Sequence, residues 1–520
     1  MRLENSIRNI IFGLGGYLLN ILIGFITRTV FINILGTNYL GISGLFSNIL
    51  TFLSLTELGI GTAIVFSLYK PLADKDEYKI SALMNLYRRA YRLIGGIILI
   101  IGLMLVPFLN ILIKDVHNIP NIEAIYILFL LQSVASYLFF SYKSAILNAS
   151  QNNYIISKYG YIYSICNGIM QVIILNITKN YILMLSLQIL IDIIRNILIS
   201  KEVNKIYPYL IKNKNIHLEK CEIKKLYKDI YALSLSKVCG IVLNATDNIV
   251  ISYFLGVVQV GIYSNYIYII NNINSILNIV FNSLTSSVGN LNATSDEEQK
   301  YFIYKVMNFI VFWFYGFCSI CFLELLNPFI SIWIGEKFLF DKIVVASIVL
   351  NFYTSGMQYT NTIYKDACGL FWNTRYRSLS MAVINIIFSI ILVQYLGVMG
   401  VLLGTIISRL LTNFWFDPWT IHRNIFKKTT KRYFSKYFIY TLSVIVAGIL
   451  TSIINSFWIS NEIISFLMKA ITCAIIPNLI FILLFFKTTE FKYLKDIILD
   501  KILYKVTFKL KGFRIKYDKR

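Results

Sequence analysis

The chain has 520 residues, of which 57% are hydrophobic and only 14% are charged. Soluble domains carry roughly a quarter charged residues, so this composition excludes a water-soluble protein. The net charge of +23 would suit nucleic acid, but the basic residues flank apolar runs and no folded basic domain separates them. We therefore expect a membrane protein whose basic segments face anionic lipid and that binds no nucleic acid.

Long apolar runs recur along the whole chain. Because backbone hydrogen bonds must close inside a membrane segment, a run of about 20 apolar residues crosses the hydrocarbon core as one helix. The runs predict an all-α integral membrane protein with about fourteen transmembrane helices. We place them near 10–34, 41–68, 91–113, 122–148, 153–176, 180–204, 231–255, 258–288, 302–326, 342–369, 377–396, 399–421, 434–457 and 461–487.

Lys and Arg residues are concentrated in alternate gaps between the apolar runs. The basic segments are 70–92, 201–228, 423–436 and 487–520, whereas the short gaps between the other spans carry few basic residues. Cytoplasmic loops hold the excess of Lys and Arg in membrane proteins. The pattern therefore predicts a multi-pass protein with both termini in the cytoplasm.

A short motif occurs twice, six predicted spans apart. The string LGTNYLGI at 35–42 is matched by LGVVQVGI at 255–262. An even number of spans separates the copies, so both run in the same direction, as in parallel repeats whose two lobes enclose a substrate site. The predicted organisation is an N-lobe of six helices (1–206), a basic linker (207–229), a C-lobe of six helices (230–424), two further helices (425–487) and a basic cytoplasmic tail (488–520).

Ionisable residues also lie well inside the predicted spans. Each costs at least about 2.5 kcal/mol to insert, so those that occur usually face a cavity or a partner. Cations outnumber acidic groups among them, which favours an anionic head group such as a diphosphate. The residues are Arg28, Glu57, Asp192, Arg195, Lys237, Asp247, Arg409 and Lys469.

Four of these cations are the predicted substrate-binding residues. They are Arg28, Arg195, Lys237 and Arg409, which would line a cavity and replace water around an anion. A further cation, Lys143, lies close enough to the cytoplasmic end of its span to extend its ammonium group to the interface.

The acidic residues Asp247, Glu57 and Asp192 are predicted to serve ion coupling or charge pairing. Arg28 and Asp247 precede their repeat glycines by similar distances, so they lie at similar depth and could face each other, either functionally or as a static bridge. Asp192 and Arg195 are spaced i, i+3 on one helix face, so their two charges could simply neutralise each other.

The sequence shows no constellation typical of an enzyme. It has no Gly-rich phosphate-binding loop and no clustered acid pair, and its three histidines are scattered. Cys318 and Cys321 form a CxxC string inside an apolar run, where packing explains them better than metal or redox chemistry. We predict a transporter without catalytic residues, metal or cofactor.

One series of short strings and single residues extends along most of the chain. It consists of Gly59-Ile60-Gly61, Tyr69, Gln151, Tyr154, Asp247, Leu255-Gly256, Gly369-Leu370-Phe371-Trp372, Asn385, Gly397, Gly400, Gly404-Thr405, Trp415 and Pro418. In order and spacing this series resembles that of bacterial polysaccharide flippases, which belong to the multidrug, oligosaccharidyl-lipid and polysaccharide exporter superfamily. The resemblance weakens after about residue 430.

This resemblance implies a flippase of the bacterial cytoplasmic membrane that moves undecaprenyl-diphosphate-linked oligosaccharides to the outer leaflet for O-antigen, capsule or exopolysaccharide assembly. It also implies two six-helix lobes around a cationic cavity that opens alternately to each side. By position, Arg28 resembles the cavity arginine of the family's lipid-carrier flippases. Membrane lipids, a polysaccharide polymerase and chain-length proteins are the implied partners.

Two other functions remain open from the sequence. A drug or cation exporter of the same superfamily would need acidic, aromatic pockets, and here the intramembrane cations prevail. A membrane polysaccharide polymerase or glycosyltransferase would need an active site, for which the short external loops leave little room.

Overall fold

The computed structural model describes residues 2–54, 60–109, 120–150, 152–213, 216–219, 222–223, 245–282, 288, 296–368, 370–458 and 462–496. Helices dominate these ranges, and no β-strand occurs in them. The all-α fold expected from the apolar runs is confirmed.

The principal helices are numbered in chain order. They are α1 (Arg2–Leu53), α2 (Ile60–Asp74), α3 (Glu77–Leu105), α4 (Ile122–Leu138), α5 (Ser144–Ala149), α6 (Asn153–Thr178), α7 (Tyr181–Ile206), α8 (Tyr209–Lys212), α9 (245–255), α10 (Val257–Asn282), α11 (Glu297–Ile334), α12 (Lys342–Gly356), α13 (Tyr359–Ala367), α14 (Phe371–Leu396), α15 (Val398–Leu411), α16 (Asn413–Ile421), α17 (Lys431–Asn455) and α18 (Glu462–Phe485).

Nine helical stretches in the described ranges are long and apolar enough to cross a membrane, or ten if α4 and the stretch Ser141–Ala149, which contains α5, form one span bent by 46°. The protein is therefore a multi-pass membrane protein. The first two predicted spans meet inside α1, which is kinked at Gly36. The tenth predicted span is divided into α12 and α13.

The eighth predicted span corresponds to α10, a continuous helix of 26 residues. It is not among the nine stretches that are apolar enough to cross a membrane, because six of its residues are asparagines. An intramembrane helix rich in amides can hydrogen-bond to its neighbours, whereas the same groups would be unsatisfied against lipid. This polarity marks α10 as a helix that faces protein.

The chain divides into two compact units, and the first comprises Met1–Asn272 and Ser378–Ser408. In it, α1 packs along α6. The two helices are so close that a Cβ added at Gly16 would lie 1.9 Å from the ring of Tyr161. Helices α3 and α4 approach in the same way at Gly102. Small residues of this kind let membrane helices pack without a side chain between them.

The second unit comprises Ile273–Arg377 and Arg409–Arg520. Its centre is aromatic: Phe312 of α11 stacks on Tyr440 of α17 with ring centroids 4.4 Å apart, and Phe481 of α18 packs beside them. The two C-terminal helices are therefore packed onto α11 by large buried rings, which contribute strongly to core energetics. The lobe boundaries predicted from the sequence stay a prediction.

Candidate functional site

The two copies of the repeated glycine motif have the same local geometry and contact each other within the first unit. Gly36 and Gly256 both have positive φ, 82° and 93°, a conformation that glycine adopts without steric cost. A Cβ at Gly41 would lie 1.9 Å from a carbonyl oxygen of α10, and one at Gly261 would lie 2.6 Å from a carbonyl oxygen of α1. The motif thus fixes the close approach of α1 and α10.

This approach places Arg28 of α1 against one face of α10. Its Nε donates to Asn265 Oδ1 at 2.9 Å, and its Nη2 donates to Ser264 Oγ at 2.6 Å. The guanidinium carbon lies 5.0 Å from the centre of the Tyr268 ring, a cation–π contact. Arg28 is therefore held in one orientation by two uncharged acceptors and one ring.

Unused donors remain beside this guanidinium. No residue in the described ranges accepts a hydrogen bond from Asn265 Nδ2, although the Asn265 side chain is fully buried. The Nη1 group of Arg28 likewise has no hydrogen-bond acceptor in the part of the chain that the structure describes. A buried donor without an acceptor costs about 1–3 kcal/mol, so a group that accepts from it is stabilised there. The geometry suits an anionic oxygen acceptor such as a phosphate.

Asp247 of α9 has a different set of neighbours in the same unit. It is 7% exposed, and the Thr405 hydroxyl lies 3.2 Å from its Oδ1. Asn385 Nδ2 donates to the Thr405 hydroxyl at 2.8 Å, and the carbonyl oxygen of Val401 accepts from Ser389 at 3.3 Å. Asp247 thus belongs to a buried polar cluster formed by α9, α14 and α15.

Oxygen atoms predominate in this Asp247 cluster. The Asn385 Oδ1 is buried and receives no hydrogen bond from any described residue. Carboxylate, hydroxyl, carbonyl and amide oxygens are the donors that hard cations prefer. Helices α14 and α15 come close enough to form the cluster because position 404 is glycine, where a Cβ would lie 2.6 Å from Ser389.

The predicted contact between Arg28 and Asp247 does not occur. Arg28 contacts Ser264, Asn265 and Tyr268, and Asp247 contacts Thr405. The equal depth of two charges in their helices was a weak indicator, because it says nothing about which helix faces they occupy.

The predicted pair on α7 is present. Arg195 Nη2 lies 3.2 Å from Asp192 Oδ1, and Gln132 Nε2 donates to Asp192 Oδ2 at 2.9 Å. The Arg195 guanidinium also lies over the Tyr163 ring, 4.4 Å from its centre. The charge of Arg195 is therefore largely neutralised by Asp192 of the same helix, which reduces its ability to bind an anionic substrate.

Arg409 belongs to the second unit and is bound to α12. It is 9% exposed, and its Nη1 lies within hydrogen-bond distance of the carbonyl oxygen of Asn351, of Asn351 Oδ1 at 2.9 Å and of Thr354 Oγ1 at 2.7 Å. The sequence favoured a water-filled cavity because no partner lies nearby along the chain. The acceptors instead come from another helix, so a cavity is not needed to explain this arginine.

The remaining predicted residues have different outcomes. Glu57 and Lys237 lie outside the described residues. Lys143 does not extend to the interface: it is 8% exposed, and its ammonium donates to Ser200 at 2.8 Å and Asn204 at 2.6 Å. Among the described residues, no group of three or more His, Cys, Asp or Glu could hold a metal ion.

Sequence reasoning missed the uncharged partners of Arg28 and one buried ion pair. Ser264, Asn265 and Tyr268 share a face of α10, and their polarity within a predicted span was the available signal. In the second unit, Arg377 Nη1 lies 2.5 Å from Asp417 Oδ2, and both side chains are buried. These two charges lie near the ends of predicted spans, so the search for charges well inside the spans did not include them.

No protein-family model matches the sequence, and no curated protein matches it. Among solved structures, the lipid II flippase MurJ in an inward closed conformation is similar, with TM-score 0.69 and 16% identity over 92% of this chain and 99% of that chain. An inward-facing multidrug resistance MATE transporter of the MOP superfamily has TM-score 0.54 and 15% identity over 78% of this chain and 94% of that chain. An outward-facing MATE transporter has TM-score 0.52 and 13% identity over 80% and 96%, respectively. The chain shares the fold of these transporters.

Proposed function

We propose that the protein is a flippase of the bacterial cytoplasmic membrane with both termini in the cytoplasm. It would move polyprenyl-diphosphate-linked oligosaccharides from the inner to the outer leaflet by alternating access, for O-antigen, capsule or exopolysaccharide assembly. The observation that carries the proposal is Arg28, held at a fixed orientation beside the unused amide donor of Asn265. The shared fold supports a transporter, and the name of the flippase among the similar structures favours a lipid-linked substrate.

The chemistry of such a cargo explains why a cation lies inside the membrane. A sugar diphosphate meets a large desolvation penalty in hydrocarbon, whereas its polyprenyl chain is at home in lipid. Arg28 can give the diphosphate a charge-assisted hydrogen bond, and Asn265 can add a neutral one. Ser264 and Tyr268 hold the guanidinium in place, so less conformational entropy is lost when the anion binds.

We assign ion coupling to the Asp247 cluster. Its carboxylate and its buried oxygen atoms, including Asn385 Oδ1, suit sodium, and the carboxylate alone suits a proton. Binding of either cation neutralises the negative charge of the Asp247 carboxylate, so a cation that binds one state of the transporter more tightly than the other shifts the equilibrium between the two states. Asp247→Asn should abolish the dependence of transport on an ion gradient, and Asp192→Asn, whose carboxylate already pairs with Arg195, should preserve it.

Reconstitution tests the flippase function directly. Purified protein in vesicles should expose a fluorescent undecaprenyl-diphosphate oligosaccharide to a membrane-impermeant quencher faster than protein-free vesicles do. In cells without a redundant flippase, deletion of the gene should stop surface polysaccharide and leave lipid-linked units on the cytoplasmic leaflet. Unchanged surface sugar together with no acceleration in vesicles would reject the proposal.

The same preparation discriminates the other two functions. Drug export is a second candidate function, because MATE transporters have a similar fold. A drug exporter would expel a cationic dye in an Asp247-dependent manner. A polymerase or glycosyltransferase would elongate sugar chains in detergent, without any vesicle. Dye efflux without flipping would show that the protein is a drug exporter. Elongation of sugar chains in detergent would show that it is a polymerase or glycosyltransferase.

A further inference from the structure

The second unit contains a cavity between the first turns of α11 and α17. It has a volume of about 200 Å³, and the helical segment 489–496, which follows α18, completes its wall. Three cations line it, Lys305, Arg432 and Lys436, together with one carboxylate, that of Glu490. The described lining residues therefore carry an excess of positive charge.

The single carboxylate already has a partner inside the protein. The Lys436 ammonium donates to Glu490 Oε1, and the Glu490 side chain is buried. Burial raises the pKa of Glu490, but the hydrogen bond and the charge of Lys436 outweigh burial and hold that pKa below its ordinary value. Glu490 is therefore ionised at neutral pH and neutralises Lys436. Within the described ranges, neither Lys305 nor Arg432 forms an ion pair.

Lys305 lies among like charges. Its ammonium lies 5.4 Å from the ring centres of both Tyr301 and Phe302, and these cation–π contacts attract the ammonium without supplying a negative charge. The cations that act most strongly on it are Lys436, Lys428 and Arg432. Like charges at such close range raise each other's free energy, and an anion bound among them would lower it.

Tyrosine hydroxyls add neutral donors to the same cavity. Tyr301, Tyr437 and Tyr440 line it, and their hydroxyls make no hydrogen bond to any residue that the structure describes. Tyr440 follows Arg432 and Lys436 at intervals of four and eight residues, so the three side chains share one face of α17. A phenolic hydroxyl can donate to an anionic oxygen, so charged and uncharged donors are available side by side.

A buried hydrogen-bond network fixes one wall of the cavity. The Tyr304 hydroxyl donates to Asn361 Oδ1 at 2.6 Å, and Asn361 Nδ2 donates to the Tyr433 hydroxyl at 3.0 Å. These bonds join α11, α13 and α17, and both tyrosines line the cavity. The space is therefore formed before any ligand enters, which reduces the entropy lost on binding.

We propose that this cavity of the second unit binds a phosphate group, supplied by the headgroup of an anionic phospholipid or by a soluble phosphate. Phosphate oxygens accept the bidentate hydrogen bonds of arginine and the point-charge contacts of lysine, and Arg432 and Lys305 provide both. Drug-sized ligands need pockets of about 300–1,000 Å³, so a cavity of about 200 Å³ suits a small headgroup.

The location of the cavity agrees with such a ligand. The predicted topology places the first turns of α11 and α17 and the end of α18 on the cytoplasmic side. Basic pockets between membrane helices bind anionic headgroups on that side, and soluble phosphates are available there as well. The proposal does not rest on the proposed transport function, because all of the described lining residues belong to the second unit and Arg28 and Asp247 belong to the first.

A binding measurement on the purified full-length protein tests the proposal without any transport assay. The probe is a fluorescent phosphatidylglycerol followed by anisotropy in neutral detergent, with unlabelled phosphatidylglycerol, diacylglycerol and inorganic phosphate as competitors. The test variant is Lys305→Gln/Arg432→Gln. The matched control is Lys431→Gln/Lys492→Gln, which removes the same number of positive charges from exposed positions outside the cavity.

We expect the test variant to bind the probe at least about tenfold more weakly, the loss typical of removing hydrogen bonds between charged groups, and the control to bind as the wild type does. If the double variant does not fold, Arg432→Gln alone, at an exposed position, should show a smaller loss in the same direction. Displacement by phosphatidylglycerol but not by inorganic phosphate would support the proposal with a lipid as the source. Displacement by both would support it with the phosphate group alone as sufficient. Equal affinity in test and control variants, or competition by diacylglycerol as strong as that by phosphatidylglycerol, would overturn the proposal.

Discussion

Arg28 and Arg409 both lie in apolar helices and both donate to uncharged acceptors, but their surroundings differ. Arg409 is 9% exposed, and its Nη1 group is surrounded by three acceptors of α12. Arg28 is half-buried and lies next to the unused donor of Asn265. An arginine whose hydrogen bonds end on the protein stabilises the fold, whereas one beside unused donors can bind a substrate anion.

The largest expected effect comes from separating the helices that position Arg28. Gly41→Ala would place a Cβ 1.9 Å from the carbonyl oxygen of Val257, a backbone atom that cannot move aside alone. We expect it to lower the free energy of unfolding by about 3 kcal/mol, as severe overpacking does, and to impair substrate binding. Thermal unfolding in detergent measures the first effect, and the vesicle assay measures the second.

Gly44→Ala is the control on the same helix. Its Cβ would lie 3.6 Å from Val260 Cγ1, an ordinary van der Waals contact, so stability and transport should match the wild type. If both alanine variants behave alike, the close approach of α1 and α10 does not determine the position of Arg28.

The second-largest effect is expected from Arg28→Gln, and the same substitution at Arg409 shows how the two arginines differ. Arg28→Gln should reduce flipping ten- to about a hundredfold, because one charge-assisted hydrogen bond to the diphosphate is worth about 1.5–3 kcal/mol. Ser264 is partly exposed, so its hydroxyl can bind water in place of the guanidinium. The buried Asn265 Oδ1 loses its donor at a cost of about 1–3 kcal/mol, so the flipping rate is compared per folded molecule. The vesicle assay and a thermal unfolding curve are measured on the same sample. Transport at the wild-type rate would remove Arg28 from the substrate site.

Arg409→Gln should give the opposite result. It removes the donor to Thr354 Oγ1 and to Asn351 Oδ1, and a buried unsatisfied polar group costs about 2 kcal/mol. The midpoint of thermal unfolding should fall while the flipping rate per folded molecule stays at the wild-type value. A stable Arg409→Gln protein that no longer flips would show that Arg409 binds the substrate, as the sequence predicted.

The contrast between the two arginines shows what the sequence can and cannot predict. Apolar runs predicted the all-α membrane fold, because in lipid the backbone must close its hydrogen bonds within each helix. A charge within an apolar run is conspicuous, so Arg28 and Arg409 were both found. Their roles were not distinguishable, because the acceptors of Arg409 are on α12, 55 and 58 residues away.

The partners of Arg28 were missed for a related reason. Ser264, Asn265 and Tyr268 are uncharged and lie in a helix with many other polar residues, so nothing in the sequence singled out one face of α10. The register between α1 and α10 selects that face, and the register depends on tertiary contacts. The repeated glycine motif did mark where the two helices meet, although the sequence showed it only as a repeat.

The smallest predicted effect concerns how Arg28 is oriented. Ser264→Ala removes the acceptor that holds Nη2 but leaves the Asn265 and Tyr268 contacts, and alanine is small enough to leave no large cavity. Loss of one of several contacts that orient the guanidinium should cost about 1 kcal/mol, or roughly a fivefold lower flipping rate at limiting substrate. Ser186→Ala on α7 is the matched control, because its hydroxyl donates only to the carbonyl oxygen one turn earlier. If Ser264→Ala raises the substrate concentration that gives half the maximal flipping rate and leaves thermal unfolding unchanged, Ser264 acts through Arg28. Equal flipping rates in both serine variants would show that Asn265 and Tyr268 orient the guanidinium without Ser264.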